Sequence, residues 1–263
     1  MTTADFLALV VYELGDSTCK RRIARWSVDD RGDGDVLVKV RYSSLNYKDA
    51  LSATGNRGVT KNFPHTPGID AAGSVAESRS PQFKSGDEVI VTGYDLGMNT
   101  SGGFAEFIRV PSGWIVPRPS PLSLKESMIY GTAGFTAALS IYELIDHGLE
   151  TQQGAVLVTG ATGGVGSLAV SILSKIGFRD TAVSGKAYRK AFLEDLGATE
   201  VISREEAADT SGRPLLKGRW AGVVDTVGGD ILATAINAAQ YGGSIACCGL
   251  VASPEVNTTV FPF

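Results

Sequence analysis

Three short strings in this chain carry side chains and glycines whose spacing could do chemistry. The first runs Ala155-Val156-Leu157-Val158-Thr159-Gly160-Ala161-Thr162-Gly163-Gly164-Val165-Gly166 and continues as Ser167-Leu168-Ala169-Val170. An apolar, β-branched run enters a glycine cluster, and the cluster opens an amphipathic helix. A nucleotide phosphate needs that order. The strand delivers the chain to the sheet edge, the glycines let the backbone approach an anion, and the helix N-terminus offers free N–H groups with a favourable dipole. A tight strand-to-helix turn without a ligand is the competing reading of the same string.

The second string, Thr181-Ala182-Val183-Ser184-Gly185-Lys186, lies roughly 20 residues past the glycines, where an acidic side chain would accept from a free ribose 2′-hydroxyl. No carboxylate stands there. Ser184 can donate to a phosphate oxygen, Lys186 supplies a point charge, and Arg189 and Lys190 deepen the positive field. Coupled to the glycine loop, this favours NADPH as the cofactor. An ordinary polar turn that carries a lysine is the alternative. The third string, Ser43-Ser44-Leu45-Asn46-Tyr47-Lys48-Asp49-Ala50, packs an amide, a phenol, an ammonium and a carboxylate into four residues. These groups could hold a nicotinamide or a polar substrate, with Tyr47 as a proton donor. The string reads equally well as a helix start, with Asn46 or Asp49 as the cap and Tyr47 as packing.

Other chemistries find no support. His65 and His147 are far apart in sequence, with no cysteine or carboxylate spacing beside them that suggests a tetrahedral metal site, so no metal is expected. His65 sits in Phe63-Pro64-His65-Thr66-Pro67-Gly68 and reads as a loop residue. A Ser-His-Asp hydrolase is excluded by the lack of a Gly-x-Ser-x-Gly elbow.

The elements that must position these strings fall into two textures. Up to about residue 125 short strands, such as Phe6–Val11, Asp35–Tyr42 and Glu88–Gly93, alternate with Gly- and Pro-rich turns at Gly32–Gly34, Gly55–Gly58, Pro64–Gly68 and Lys84–Asp87. That pattern predicts a small barrel or sandwich. Val116-Pro117-Arg118-Pro119-Ser120-Pro121 then marks a connector. Leu124–Tyr130 and Phe135–Leu144 have helical periodicity. From Ala155 onward strands near 155–159, 181–184, 200–202, 221–226 and 244–248 alternate with helices near 164–176, 187–196 and 230–240. Right-handed crossovers and a parallel sheet covered on both faces follow.

With 263 residues, 43% hydrophobic and 20% charged, the chain can bury a sizeable core in two domains. A net charge of −4 argues against nucleic acid or an anionic membrane as partner, and Lys20-Arg21-Arg22 with Arg25 reads as a solvated edge. Cys19, Cys247 and Cys248 form no disulfide framework, which points to a reducing cytoplasm. Cys247 and Cys248, in an apolar run, read as small core residues. The Met1–Phe6 start has neither a charged n-region nor a long apolar core, so no signal peptide or membrane anchor is expected there.

The chain resembles the zinc-free medium-chain dehydrogenase/reductases, and within them the YhdH/YhfP-type quinone oxidoreductases that include acryloyl-CoA reductases. The matching strings are Ser43 to Leu51, Pro67-Gly68-Ile69-Asp70, Gly102-Gly103-Phe104-Ala105-Glu106 and Gly131-Thr132-Ala133-Gly134-Phe135-Thr136-Ala137. They continue through the glycine loop, Ser184-Gly185-Lys186, Leu196-Gly197-Ala198 and Asp225-Thr226-Val227-Gly228, in the same order along the chain. Asn46-Tyr47-Lys48-Asp49 stands where zinc-dependent relatives carry a ligand cysteine, and only Tyr94 to Gly103 fills the interval of their structural-zinc lobe.

The resemblance implies an α/β protein: a GroES-like β-rich catalytic domain over 1–123 and a Rossmann doubly wound parallel sheet over 124–263. By position, Thr162, Gly163, Gly164 and Val165 would line the pyrophosphate, and Ser184, Gly185 and Lys186 the 2′-phosphate of NADPH. Tyr47 would face the nicotinamide end, with Asn46 and Asp49 beside it in the catalytic set, and Thr226 and Leu250 would flank the cofactor. The implied activity is hydride transfer to an activated C=C bond, with acryloyl-CoA giving propionyl-CoA as the best substrate. A quinone or enone oxidoreductase and a catalytically silent NADPH-binding protein are the alternatives. A homodimer through the Rossmann sheet edge is also implied. Family members continue for several dozen residues past Phe263, so the last part of the family fold is expected to be missing, with an exposed sheet edge and an incomplete cleft.

Overall fold

In a computed structural model, residues 5–15, 18–28, 32 and 34–263 are described; the expectations placed on Met1–Ala4 and on Asp33 lie outside them. The chain divides into two compact units, 1–132 and 133–263.

In the first unit, β1 (Asp5–Glu13) and β2 (Cys19–Ser27) form an antiparallel pair from Asp5 opposite Ser27 to Glu13 opposite Cys19. Phe6, Ala8 and Val10 alternate inward along β1, the period of a half-buried strand. Lys20, Arg21, Arg22 and Arg25 lie exposed on β2. Five further strands are β3 (Val36–Tyr42), β4 (Asp70–Ser78), β5 (Glu88–Thr92), β6 (Phe107–Val110) and β7 (Ile115–Pro117). They form an antiparallel sheet in the order β6-β3-β4-β5-β7. Its core is Val36, Val38, Val75, Val89, Val91 and Ile108 with their neighbours. The sequence of β4, Asp70-Ala71-Ala72-Gly73-Ser74-Val75-Ala76-Glu77-Ser78, has little β propensity. It must be small there: a Cβ on Gly73 would lie 2.0 Å from the Lys39 carbonyl oxygen of β3.

A short helix, α1 (Tyr47–Ala53), follows β3. The helix α2 (Leu124–Asp146) is broken at Gly131, whose φ of 50° and ψ of −153° are not helical. Among the described residues α2 is the one helix with the length and apolarity of a bilayer-crossing segment. Beyond the break, however, Ala137, Ile141 and Leu144 are buried in the core of the second unit.

In that unit the elements run β8 (Ala155–Val158), α3 (Gly164–Lys175), β9 (Asp180–Val183), α4 (Lys190–Asp195), β10 (Glu200–Ile202), α5 (Arg204–Ala207), β11 (Trp220–Asp225), α6 (Gly229–Asn237) and β12 (Ala239–Cys247). The strands are parallel, in the order β10-β9-β8-β11-β12. Val156 and Val158 face a core shared with Ala169, Val170 and Leu173 of α3, while Leu157 faces the other side with Val223 and Ala235. A sheet buried on both faces reads as a continuous apolar run, as β8 does. Strand order reverses between β8 and β11, the crevice where open α/β sheets take ligands.

Cys247 and Cys248 are not core residues. Both are exposed, because β12 is an edge strand of this sheet. Their sulfurs lean on Asp225, Cys248 Sγ donating to its carbonyl oxygen at 3.3 Å. Partial burial of the sulfurs, joined by the Asp225 charge, holds both thiols above the usual thiol range.

One buried acid opposes folding. Asp180, 1% exposed at the start of β9, accepts from the Thr199 N–H through Oδ1 at 3.2 Å, and its Oδ2 has no partner. Burial pushes its carboxyl from 3.8 up to about 6. A raised acid pKa means the folded state binds the proton more tightly, so stability falls as pH rises from about 4 through 6. At about 1.4 kcal/mol per pKa unit, the cost near pH 7 is roughly 3 kcal/mol. Asp180→Asn is therefore expected to raise unfolding free energy at pH 7.5 by roughly 1–3 kcal/mol, with the gain vanishing near pH 4. Denaturant titrations of both proteins at the two pH values check this.

Candidate functional site

The glycine loop is built by close approach. Gly160 has φ 58°, and a Cβ on it would lie 2.3 Å from Thr226 Oγ1; a Cβ on Gly166 would lie 2.4 Å from the Gly160 carbonyl oxygen. Both positions therefore exclude side chains, and α3 starts directly over the end of β8. Gly163 and Gly164 at that start are exposed, and Gly163 is the N-cap of α3. Open backbone at the N-terminus of a twelve-residue helix suits an anion.

Buried polar bonds tie the ends of β8 and β11 together. Thr159 Oγ1 donates to Asp225 Oδ1 at 2.7 Å and accepts from the Thr226 N–H at 2.9 Å. Thr226 Oγ1 donates to the Thr159 carbonyl oxygen at 2.9 Å. Asp225 Oδ2 accepts from Gly228 N–H at 2.8 Å and from Val227 N–H at 3.3 Å. Leu250, beyond β12, is 57% exposed in a segment held to the 226–228 loop by the Ala252 N–H donating to the Val227 carbonyl oxygen.

At the end of β9, Ser184 is nearly buried and its Oγ accepts from the Lys186 N–H at 3.0 Å, which leaves the hydroxyl proton free to donate outward. Gly185 and Lys186 are exposed. The sequence reading missed a neighbour here. Arg204, the first residue of α5, lies over Gly185, so that a Cβ there would meet Arg204 Nε at 2.7 Å. Parallel pairing of β9 with β10 brings Ser184 and Ser203-Arg204 to one sheet edge, an adjacency that only the strand order could have revealed. The structure thus sets Ser184–Lys186, Thr162–Val165, Thr226 and Leu250 in a row after β9, β8, β11 and β12. Three strand spacings, about 14 Å, separate the ends of that row.

In the first unit the third string is a scaffold with one free member. Asp49 is 3% exposed; its Oδ2 accepts from the Asn46 N–H and its Oδ1 from the Ile69 N–H, both at 2.8 Å. Burial raises its carboxyl above the usual range, opposed by these hydrogen bonds and reinforced by the Asp70 charge. Asp70, fully buried, accepts from Asn46 Nδ2 at 2.9 Å, Thr132 N–H at 3.0 Å and Thr132 Oγ1 at 2.6 Å. Both the cap and the polar-cluster readings of this string hold in part: Asn46 and Asp49 are committed to the backbone and to Asp70. Tyr47 opens α1 and is 55% exposed.

The residues present do not fit a catalytic metal. Among the described residues no three His, Cys, Asp or Glu side chains converge on one point. His65 is buried with Nε2 bonded to the Gly97 carbonyl oxygen at 2.9 Å, and His147 Nδ1 is bonded to the Glu143 carbonyl oxygen.

Residues 32–120 match the alcohol dehydrogenase GroES-like domain, and residues 164–263 match the zinc-binding dehydrogenase domain. The chain is 50% identical over 237 residues to YhfP of Bacillus subtilis (strain 168), covering 90% of this chain and 72% of that one. The chain belongs to the medium-chain dehydrogenase/reductase family. It is also 42% identical over 259 residues to the acrylyl-CoA reductase AcuI of Ruegeria pomeroyi, covering 98% and 78% of the two chains. Among solved structures, the yhdH oxidoreductase of Salmonella enterica in complex with NADP superposes with a TM-score of 0.94 at 46% identity, over 98% of this chain and 78% of that one. Bacillus subtilis yhfP with NAD bound gives 0.95 at 46% identity, over 99% and 79%. The two-part α/β architecture, a GroES-like domain and a Rossmann-like parallel sheet, is that of the family.

The Asp70 carboxylate can be tested as the knot of the first unit. Asp70→Ala takes the carboxylate acceptor away from the part-buried Asn46 amide and from the Thr132 N–H and hydroxyl, at about 1–3 kcal/mol per group. Unfolding by urea is expected to show a loss of roughly 3 kcal/mol or more. A loss below about 1 kcal/mol would mean that water replaces the carboxylate.

Proposed function

We propose that the chain binds NADPH along the row after β9, β8, β11 and β12 and reduces an activated carbon–carbon double bond. Acryloyl-CoA, giving propionyl-CoA, is the favoured substrate. The observation that carries the reading is that row. An anion-suited helix start at the strand-order reversal is followed, one strand away, by a hydroxyl and two cations, with no carboxylate in the Ser184–Lys186 string. Its neighbours in the family add support, since yhdH was crystallised with NADP and AcuI is an acrylyl-CoA reductase.

When bound, NADPH supplies the hydride. The chain's residues bind and orient. Thr162, Gly163, Gly164 and Val165 would line the pyrophosphate with the α3 dipole behind them, the Gly163 N–H being already spent on the Gly160 carbonyl oxygen at 2.8 Å. Ser184 Oγ, the Gly185 backbone and Lys186 would take the 2′-phosphate of the adenosine ribose, joined by Arg204, with Arg204 as a planar fork and Lys186 as a point charge. Thr226 and Leu250 would flank the cofactor. In the reduction, the β-carbon gains hydride and the α-carbon gains a proton from Tyr47 Oη or from water; Asn46 and Asp49 hold the backbone that carries Tyr47. A catalytic domain over 1–123, a cofactor domain over 124–263 and a homodimer belong to the same proposal.

A quinone or enone reductase would share every cofactor contact, so the substrate is decided by rates. With NADPH, kcat/KM for acryloyl-CoA is expected to exceed that for a small quinone, and Tyr47→Phe to lower kcat about 10²-fold with the NADPH Kd unchanged. Tight NADPH binding with no turnover on either substrate would instead make the chain a silent binding protein.

Cofactor choice is tested separately by titration. Lys186→Glu is expected to weaken NADPH by about tenfold or more while leaving NADH within about twofold, since one charge-assisted bond to phosphate is roughly 1.5–3 kcal/mol. Equal losses for both cofactors would remove the 2′-phosphate assignment.

A further inference from the structure

Tyr94 is the one non-glycine residue with positive φ among the described residues, at 52°. Left-handed backbone is unfavourable for a bulky side chain and persists where surrounding structure imposes it. Burial is no compensation here, because Tyr94 is 62% exposed. Its ring instead lies flat on Trp114, centroids 5.2 Å apart and planes 4° apart, and Oη donates to the Gly113 carbonyl oxygen at 3.2 Å. Trp114 packs against the sheet core. The pair is thus anchored on one side and open on the other, with the tyrosine ring fixed at both ends.

Its position can be traced through the sheet. The Gly93 N–H donates to the Ile69 carbonyl oxygen at 3.2 Å, and the Ile69 N–H donates to Asp49. Trp114 precedes β7, whose Ile115 pairs with Val91 of β5. The stack therefore stands at the same end of the sheet as α1, and β7 is two strand spacings, about 10 Å, from β4, where Asp70 holds Asn46.

We propose that the Tyr94–Trp114 stack is the docking platform for the adenine ring of a coenzyme A thioester. This rests on the reductase reading above and sharpens its substrate class. A flat, exposed, pre-oriented π face suits a purine, which stacks whatever its substituents. The offset from Tyr47 suits a ring remote from the reacting carbons. The ring of a quinone is itself the reacting group and belongs beside Tyr47, whereas the adenine of coenzyme A is joined to the thioester by the long pantetheine arm.

The experiment compares acryloyl-CoA with the acryloyl thioester of N-acetylcysteamine, which keeps the enoyl group and lacks the nucleotide. Tyr94→Ala is expected to raise KM for acryloyl-CoA about tenfold, with kcat unchanged and the truncated thioester unaffected. Tyr94→Phe, which keeps the stack, should restore the wild-type KM. Calorimetric titration with coenzyme A reads the same contact without turnover, and binding should weaken by a similar factor in Tyr94→Ala. Equal losses on both thioesters, or unchanged coenzyme A binding, would overturn the platform. Wild-type protein that reduces neither thioester would defeat the reductase reading alone, and the coenzyme A titration would still decide the platform.

Discussion

The second unit depends on one close approach, that of α3 to the end of β8. A side chain at Gly166 would strike the Gly160 carbonyl oxygen, and one at Gly160 would strike Thr226. Because neither exists, the helix N-terminus sits at the sheet edge and β11 can bond to β8 through Thr159, Asp225 and Thr226. Those bonds bury a carboxylate with four neutral or backbone donors and no cation, so the charge is satisfied by oriented dipoles. The same contacts that hold two strands in register thereby leave the N–H groups at the start of α3 unspent.

The first unit solves a related problem with Asp49 and Asp70. Two buried acids meet five donors supplied by Asn46, Ile69 and Thr132. A Cβ at Gly131, where α2 breaks, would lie 2.7 Å from Asp70 Oδ2, so the break and the carboxylate require each other. Replacing an aliphatic core contact would cost packing alone. Removing either acid strands several donors at once, which is why the network fixes the start of α1 so firmly.

How much of this could be read in the sequence follows the range of the interactions. The β8–α3 turn was legible because strand, glycines and helix are contiguous, and the alternating elements after it carry period-2 and period-3.6 patterns. The strand β2 was not, since Cys19-Lys20-Arg21-Arg22-Ile23-Ala24-Arg25-Trp26-Ser27 is mostly polar and its order comes from pairing with β1. Nor was β4, whose small residues answer to the path of β3. Cys247 and Cys248 misled because an apolar run reads as core whether its strand is central or at an edge. Arg204 was invisible for a different reason: its nearness to Gly185 depends on which strand lies beside β9.

Asn46, Tyr47 and Asp49 show why residue type alone cannot assign a role. Their chemical repertoire was legible, but the division of labour among them depends on lone pairs and donors already engaged. Asp49 has each oxygen on a backbone N–H and Asn46 has its amide donor on Asp70, so both are engaged in holding the chain around them. Tyr47 alone keeps an exposed ring on the end of a helix that the other two immobilise. An exposed phenol carried on backbone held by engaged groups is the arrangement that the proposed role of Tyr47 as proton donor requires.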